Sequence, residues 1–166
     1  MIRPVRPEDG EELAALYLAN RDFLAPFEPV RPPEFFTADG QRERLERQLD
    51  GETHPFAILD DGAIAGTINL FHIMRESLQS GTIGYWIDHR RNGRGLATGA
   101  VGEILTYAFE DLELHRVEAA TLVDNVSSQR VLEKNGFAKF GYAHRLLLIH
   151  GEWRDHVLFE LIADDL

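Results

Sequence analysis

The residues best suited to chemistry lie in one stretch, Tyr85-Trp86-Ile87-Asp88-His89-Arg90-Arg91-Asn92-Gly93-Arg94-Gly95-Leu96-Ala97-Thr98. An apolar run that reads as a strand passes into two glycines and three arginines, then into a helix-forming segment. Successive main-chain N–H groups in such a turn, with the open N-terminus of the helix behind them, converge on an anion. Gly93 and Gly95 let the backbone take positive φ, and neither puts a Cβ in the way. Arg90, Arg91 and Arg94 concentrate positive charge there. A diphosphate is the natural guest. A nucleoside-triphosphate loop would need Gly-Lys-Ser/Thr, but Leu96 follows Gly95; a dinucleotide fingerprint would need a third glycine where Thr98 stands. The plain alternative is a tight strand-to-helix connection with solvated arginines.

The elements around this turn follow from periodicity. Ile2 to Arg6 is a short strand, and Leu13, Leu16 and Tyr17 recur at helical spacing up to Asn20. Phe23 to Phe36 carries four prolines and four phenylalanines, so it reads as a loop or broken helix whose apolar surface must pack on the core or on a ligand. Thr37 to Gly51 is a charged helix. Pro55 to Leu59 and Ala63 to Ile73 are strands joined at Asp60-Asp61-Gly62, and Thr82 to Ile87 is a third. After the glycine turn, Ala97, Val101, Ile104, Leu105, Ala108 and Leu112 line one helix face. His115 to Val123 is a buried strand, Val126 to Asn135 a short helix stopped at Gly136, and Tyr142 to Ile149 with Glu152 to Ile162 a hairpin around His150-Gly151. The order predicts a mixed α/β sandwich with helices on a central sheet.

Composition narrows the classes further. The chain has 166 residues, 44% hydrophobic and 27% charged, which suits one globular domain over residues 1–166. It has no cysteine, so thiolate nucleophiles and thiolate metal sites are excluded. With 17 basic against 28 acidic side chains the net charge is −11, which disfavours a nucleic-acid surface and suits a cationic acceptor. No run approaches the ~18 apolar residues of a membrane span and no leader peptide is apparent, so a cytoplasmic location is expected. His144, His150 and His156 are evenly spaced, but the hairpin register puts His144 and His156 on opposite faces, and no metal is expected.

Two spaced motifs carry a family resemblance. Arg90-x-x-Gly93-x-Gly95 on a strand–turn–helix resembles the pyrophosphate loop of the GCN5-related N-acetyltransferases (GNAT). Some thirty residues on, Asp124-Asn125-Val126-Ser127-Ser128 leading through a helix to Gly136-Phe137 resembles the family's second signature. The segments Asn20 to Arg31 and Tyr142 to Leu158 are similar to the branch that acetylates ribosomal-protein N-termini, the RimJ/RimL type, with the RimJ side nearer. The resemblance implies a GNAT fold of the α/β (α+β) class: a mixed, mostly antiparallel sheet of about seven strands flanked by about four helices, splayed between the fourth and fifth strands. It also implies acetyl-CoA as cofactor and coenzyme A as product. Tyr85, Trp86 and Ile87 would then meet the pantetheine arm through main chain; Arg90, Arg91, Asn92, Gly93, Arg94 and Gly95 the pyrophosphate; Leu96, Ala97 and Thr98 would open the helix beneath it.

The reaction implied is direct attack of an amine on the thioester carbonyl. Asn125 and Ser128 are expected at the cofactor, with Ser128 as hydroxyl donor to the departing thiolate; Asn125 also reads as a helix cap, and Ser128 as an ordinary first-turn serine. Many family members place a tyrosine where this chain has Leu132, and the RimL type a glutamate where it has Leu147. Two carboxylates are candidate bases. Glu118 lies near the acetyl site by family analogy. Asp155 alternates with Trp153, Val157, Phe159 and Leu161, which sets it on an apolar face and would raise its pKa; anchoring a neighbouring backbone is its alternative. Phe23, Phe27 and Trp153 are expected to wall the acceptor slot. The acceptor is a protein N-terminus, foremost of a ribosomal protein, with a small amine such as a polyamine or aminoglycoside as the alternative. A non-catalytic acetyl-CoA sensor remains the reading from another class. Neither nucleic acid nor membrane is expected as a partner, and the chain as monomer or homodimer.

Overall fold

The computed structural model describes residues 1–165. Seven strands form one sheet in the order β1-β2-β3-β4-β5-β7-β6: β1 (Ile2–Pro4), β2 (His54–Asp60), β3 (Ala63–Met74), β4 (Ser80–Ile87), β5 (Arg116–Leu122), β6 (Ala138–Ile149) and β7 (Glu152–Ile162). Every neighbouring pair is antiparallel except β4 and β5. Helices α1 (Gly10–Ala19), α2 (Arg21–Leu24), α3 (Ala38–Leu49), α4 (Leu96–Thr106) and α5 (Val126–Lys134) complete the chain. The expected order of strands and helices is met, and α2 is a single turn. Among the described residues, no helix is long and apolar enough to cross a membrane.

Period-2 alternation divides the core between the two sheet faces. On β2, Phe56 and Ile58 turn to one side, where Val101, Ile104 and Leu105 of α4 and Ala108 in the turn after it pack with Val117 and Phe159. Ala57 turns to the other, beneath Leu13, Leu16 and Tyr17 of α1 and Leu45 of α3. Thr37 caps α3, its hydroxyl accepting the Gly40 N–H at 3.1 Å, and so supplies a partner that the first helical turn lacks. The Phe23–Phe36 segment is more regular than expected: α2 runs into the 3₁₀ turn Ala25–Phe27, and Pro33–Phe36 forms another. Both packing fates occur in it, since Leu24 and Phe35 enter the core while Phe23 and Phe27 stay partly exposed.

Two departures from regular pairing matter for the site. β4 and β5 pair only at Ser80–Thr82 with Arg116–Glu118, although β4 runs on to Ile87 and β5 to Leu122. Beyond those rungs the strands splay, as the resemblance implies. The hairpin closes as expected, with Ile149 opposite Glu152, but β6 shifts register between Ala143 and Leu147 and again between Lys139 and Gly141. Arg145 lies inside the larger bulge at φ 48°. This bulge lies opposite Asp155 on β7.

Candidate active site

The turn after β4 is held from below. Asp88 is buried and accepts the Arg90 N–H at 3.2 Å and the Arg90 guanidinium at 3.1 and 2.8 Å. Burial alone would push this carboxyl up; the bonds from Arg90 outweigh it and hold the group below its ordinary value. Asn20, also fully buried, accepts the His89 N–H at 2.9 Å and anchors the turn to α1 through the Leu16 carbonyl. Gly93 and Gly95 adopt φ of 76° and 80°, and a Cβ at either would meet no protein atom within 4 Å. The glycines are therefore required by backbone conformation and not by packing. From Gly93 to Thr98 the N–H groups meet no acceptor among the described residues, as expected for a helix start that faces an anion.

These N–H groups open on a cleft of about 420 Å³ lined by Tyr85, Trp86, Ile87, Arg91, Asn92, Gly93, Gly95, Leu96, Ala97, Thr98, Asn125 and Ser128, with Phe23 and Phe27 on its rim. Most of the residues expected at the cofactor thus converge. Arg90 and Arg94 do not. Arg90 is spent on Asp88, and Arg94 is paired to Asp60 at the β2–β3 turn. Arg91 is shared, lining the cleft while bonding Asp60 at 3.1 Å. Two cations missed by the sequence reading replace them: Arg130 and Lys134 line the same cleft from α5. Their spacing of four, which puts both on one helix face, was the available signal.

A second cavity of about 190 Å³ adjoins the first through the splay. Leu24, Phe27, Tyr85, Trp86, Asn125 and Ser128 border both; Gly84, Ala119, Ala120, Thr121, Leu147, His156 and Glu28 line only the smaller one. Asn125 caps α5, its carbonyl oxygen accepting from the Ser128 N–H at 3.2 Å and the Ser127 hydroxyl at 3.0 Å. This leaves its NH₂ as the end available to a ligand. The Ser128 hydroxyl lies 2.9 Å from that of Tyr85, whose pKa burial pushes up to about 12. The Tyr85 side chain was missed too, since the strand reading assigned it main-chain contact alone. Trp86 turns the other way, its indole N–H donating to the Tyr17 hydroxyl at 2.9 Å inside the core.

Three sequence-derived assignments are corrected. Asp155 faces the β6 bulge, accepting the Tyr142 hydroxyl at 2.6 Å and the Arg145 N–H at 2.8 Å. Those bonds hold its carboxyl below the ordinary value, opposite to the expected rise, and it lines neither cavity. Glu118 sits at the last β4–β5 rung and takes the Arg116 guanidinium at 2.6 Å; it too lies outside both cavities. Trp153 stands opposite Leu148 near the tip of the hairpin, 60% exposed and away from the slot.

Comparison with known proteins agrees with this geometry. Residues 1–138 match the family model described as acetyltransferase (GNAT) domain. The chain is 40% identical to "Probable N-acetyltransferase YjcK" of Bacillus subtilis over 170 residues, covering 99% of this chain and 94% of that protein. It is 34% identical to "[Ribosomal protein uS5]-alanine N-acetyltransferase" of Escherichia coli, covering 99% and 88%. The solved structure of Mycobacterium smegmatis RimJ in complex with CoA-disulfide superposes with a TM-score of 0.95 at 31% identity, covering 99% of this chain and 82% of that one. By that family match and these identities over nearly its whole length, the chain belongs to the GNAT family and is an N-acetyltransferase.

Proposed function

We propose that this acetyltransferase moves the acetyl group of acetyl-CoA to the α-amine of a protein N-terminus, foremost that of a ribosomal protein in the cytoplasm. The observation that carries this reading is the meeting of two unlike cavities at Ser128. One offers unpaired N–H groups with Arg91, Arg130 and Lys134 to phosphates; the other is narrow and walled by Gly84, Ala119 and Ala120. The bound cofactor supplies an acetyl carbonyl already activated as a thioester. The unpaired edge of β4 past Thr82 can take the pantetheine amides as an added strand would, and the free NH₂ of Asn125 can donate to them. Ser128, backed by the protonated Tyr85 hydroxyl, supplies the hydrogen bond for the sulfur as it leaves.

The acceptor class follows from the narrow slot and from amine energetics. A slot of about 190 Å³ suits an alanine, serine or threonine terminus. An α-amine of pKa ~8 needs only about 1.4 kcal/mol to deprotonate at neutral pH, against about 4.6 for a lysine amine near ~10.4. The name of the Escherichia coli relative, an alanine N-acetyltransferase of a ribosomal protein, points the same way, and the net charge of −11 favours basic tails. The test is intact mass after incubation with acetyl-CoA and, separately, an Ala-initiated peptide, spermidine and an N-blocked lysine peptide. A single acetyl on the Ala peptide is expected. Transfer to spermidine or lysine alone would overturn the reading.

A further inference from the structure

Neither candidate carboxylate lines either cavity, yet the smaller one holds another proton acceptor. We propose that His156 is the general base of the transfer, its Nε2 taking the amine proton as the amine attacks the thioester carbonyl; this rests on the acetyl-transfer reading above. His156 lies in the middle of β7, opposite Leu122 on one side and Ala143 on the other, and is 3% exposed. It lines the smaller cavity together with Ser128, Asn125 and Thr121. Its Nδ1 is 3.0 Å from the Arg154 carbonyl. A carbonyl can only accept, so Nδ1 carries the hydrogen and Nε2 keeps a lone pair.

The surroundings agree with that role. Burial, and to a smaller extent the charge of Arg154 beside it on β7, keeps the ring below its ordinary value, while the Arg154 carbonyl and the neighbouring Asp155 pull it back up. The neutral ring therefore prevails at physiological pH. From other elements, Glu28 lines the same cavity, and its carboxylate lies 3.5 Å from the Arg31 guanidinium; Tyr85 from β4 and Ser128 from α5 bring only hydroxyls, and β6 only Leu147 and Ile149. Thr121 lines the cavity as well, and its buried hydroxyl oxygen has no partner among the described residues. In the step itself, the amine nitrogen forms its bond to the acetyl carbon, and the C–S bond breaks with its electron pair on sulfur, which leaves as a thiolate held by the Ser128 hydroxyl and takes its proton from solvent. The proton lost by the amine rests on Nε2 until solvent removes it.

Two variants separate the base from its scaffold. His156→Asn retains an N–H for the Arg154 carbonyl, and His156→Gln places an amide near Nε2; neither has a basic nitrogen. With an Ala-initiated peptide, both should lower kcat/KM about 100-fold at pH 7 and leave acetyl-CoA affinity within about twofold. The wild-type kcat/KM should rise with pH through an inflection below about 6.5 that both variants lose. A variant with the wild-type rate and inflection would overturn the proposal. Ring ¹⁵N shifts of the wild-type enzyme test it without any acceptor: Nδ1–H with an apparent pKa below about 6.5 supports it, and Nε2–H sinks it even where both variants fail to fold. Wild-type enzyme idle on the peptide but active on spermidine would remove only the acceptor reading, and the variants are then compared on spermidine.

Discussion

The hydroxyl groups of Tyr85 and Ser128 lie 2.9 Å apart at the border of both cavities, with the Ser128 carbonyl 3.2 Å from the same Tyr85 oxygen. A tyrosine on the fourth strand and a serine in the first turn of α5 therefore form one donor unit, 43 residues apart in sequence. The Tyr85 proton can go to Ser128, which turns the serine proton toward the cavity. Ser128→Ala should lower kcat about 10- to 100-fold with the KM for acetyl-CoA nearly unchanged, and Tyr85→Phe should lower it less. Steady-state kinetics with each substrate saturating in turn makes the comparison. Because Asn125 and not Ser128 caps the helix, the melting temperature of Ser128→Ala should stay near wild type.

Gly93 offers a cleaner test of the turn. A Cβ there meets no neighbour within 4 Å, so the cost to the fold comes from the positive φ, about 1–2 kcal/mol. Gly93→Val should weaken coenzyme A binding tenfold or more by calorimetry while the protein still unfolds cooperatively. Unchanged affinity would remove the turn from the site.

The cations near the cleft divide into two groups, those that line it and those paired to a carboxylate. Arg130→Ala and Lys134→Ala should each raise the KM for acetyl-CoA several-fold at low salt with kcat held, and the difference should shrink as salt rises. Arg94→Ala should change that KM less, since its guanidinium belongs to Asp60. Equal effects from all three would contradict the division.

Acid should weaken the fold through Asp9 and Asp88. The Asp9 carboxylate takes the Arg3 guanidinium at two 2.8 Å contacts and is held below its ordinary value by it, as Asp88 is by Arg90. A lowered carboxyl stabilises the folded state fully above its unfolded value of about 3.9, and that contribution is lost as pH falls through the lowered value. Urea unfolding at pH 7, 4 and 3 should show a steep loss below pH 4, shallower in Asp88→Asn.

Much of this was legible beforehand because it is local. Strand and helix patterning, the positive φ of Gly93 and Gly95 and the hairpin pairing of Ile149 with Glu152 depend on a few adjacent residues. The rest depends on partners distant in sequence. Arg94 reaches its carboxylate 34 residues away, which spacing cannot reveal. Asp155 was misread because β6, the strand opposite it, bulges and brings the Tyr142 hydroxyl and the Arg145 N–H to its carboxylate, which alternation along β7 cannot reveal. His156 was passed over because strict alternation puts it on the face opposite Phe159, where Leu24, Phe27 and Glu28, distant in sequence, line a cavity with it.

The irregularity of β6 also bears on what the outer margins of the sheet can do. β6 runs twelve residues along one margin, with Phe140, Tyr142, Leu146, Leu147 and Leu148 exposed. A flat strand of that make-up would be a template on which another chain could add itself. Two register shifts and a left-handed residue break its ladder into short lengths, and the opposite margin, β1, has only three residues. Neither border presents a long straight row of peptide groups, so the protein is built against edge-to-edge sheet growth and the aggregation that follows from it.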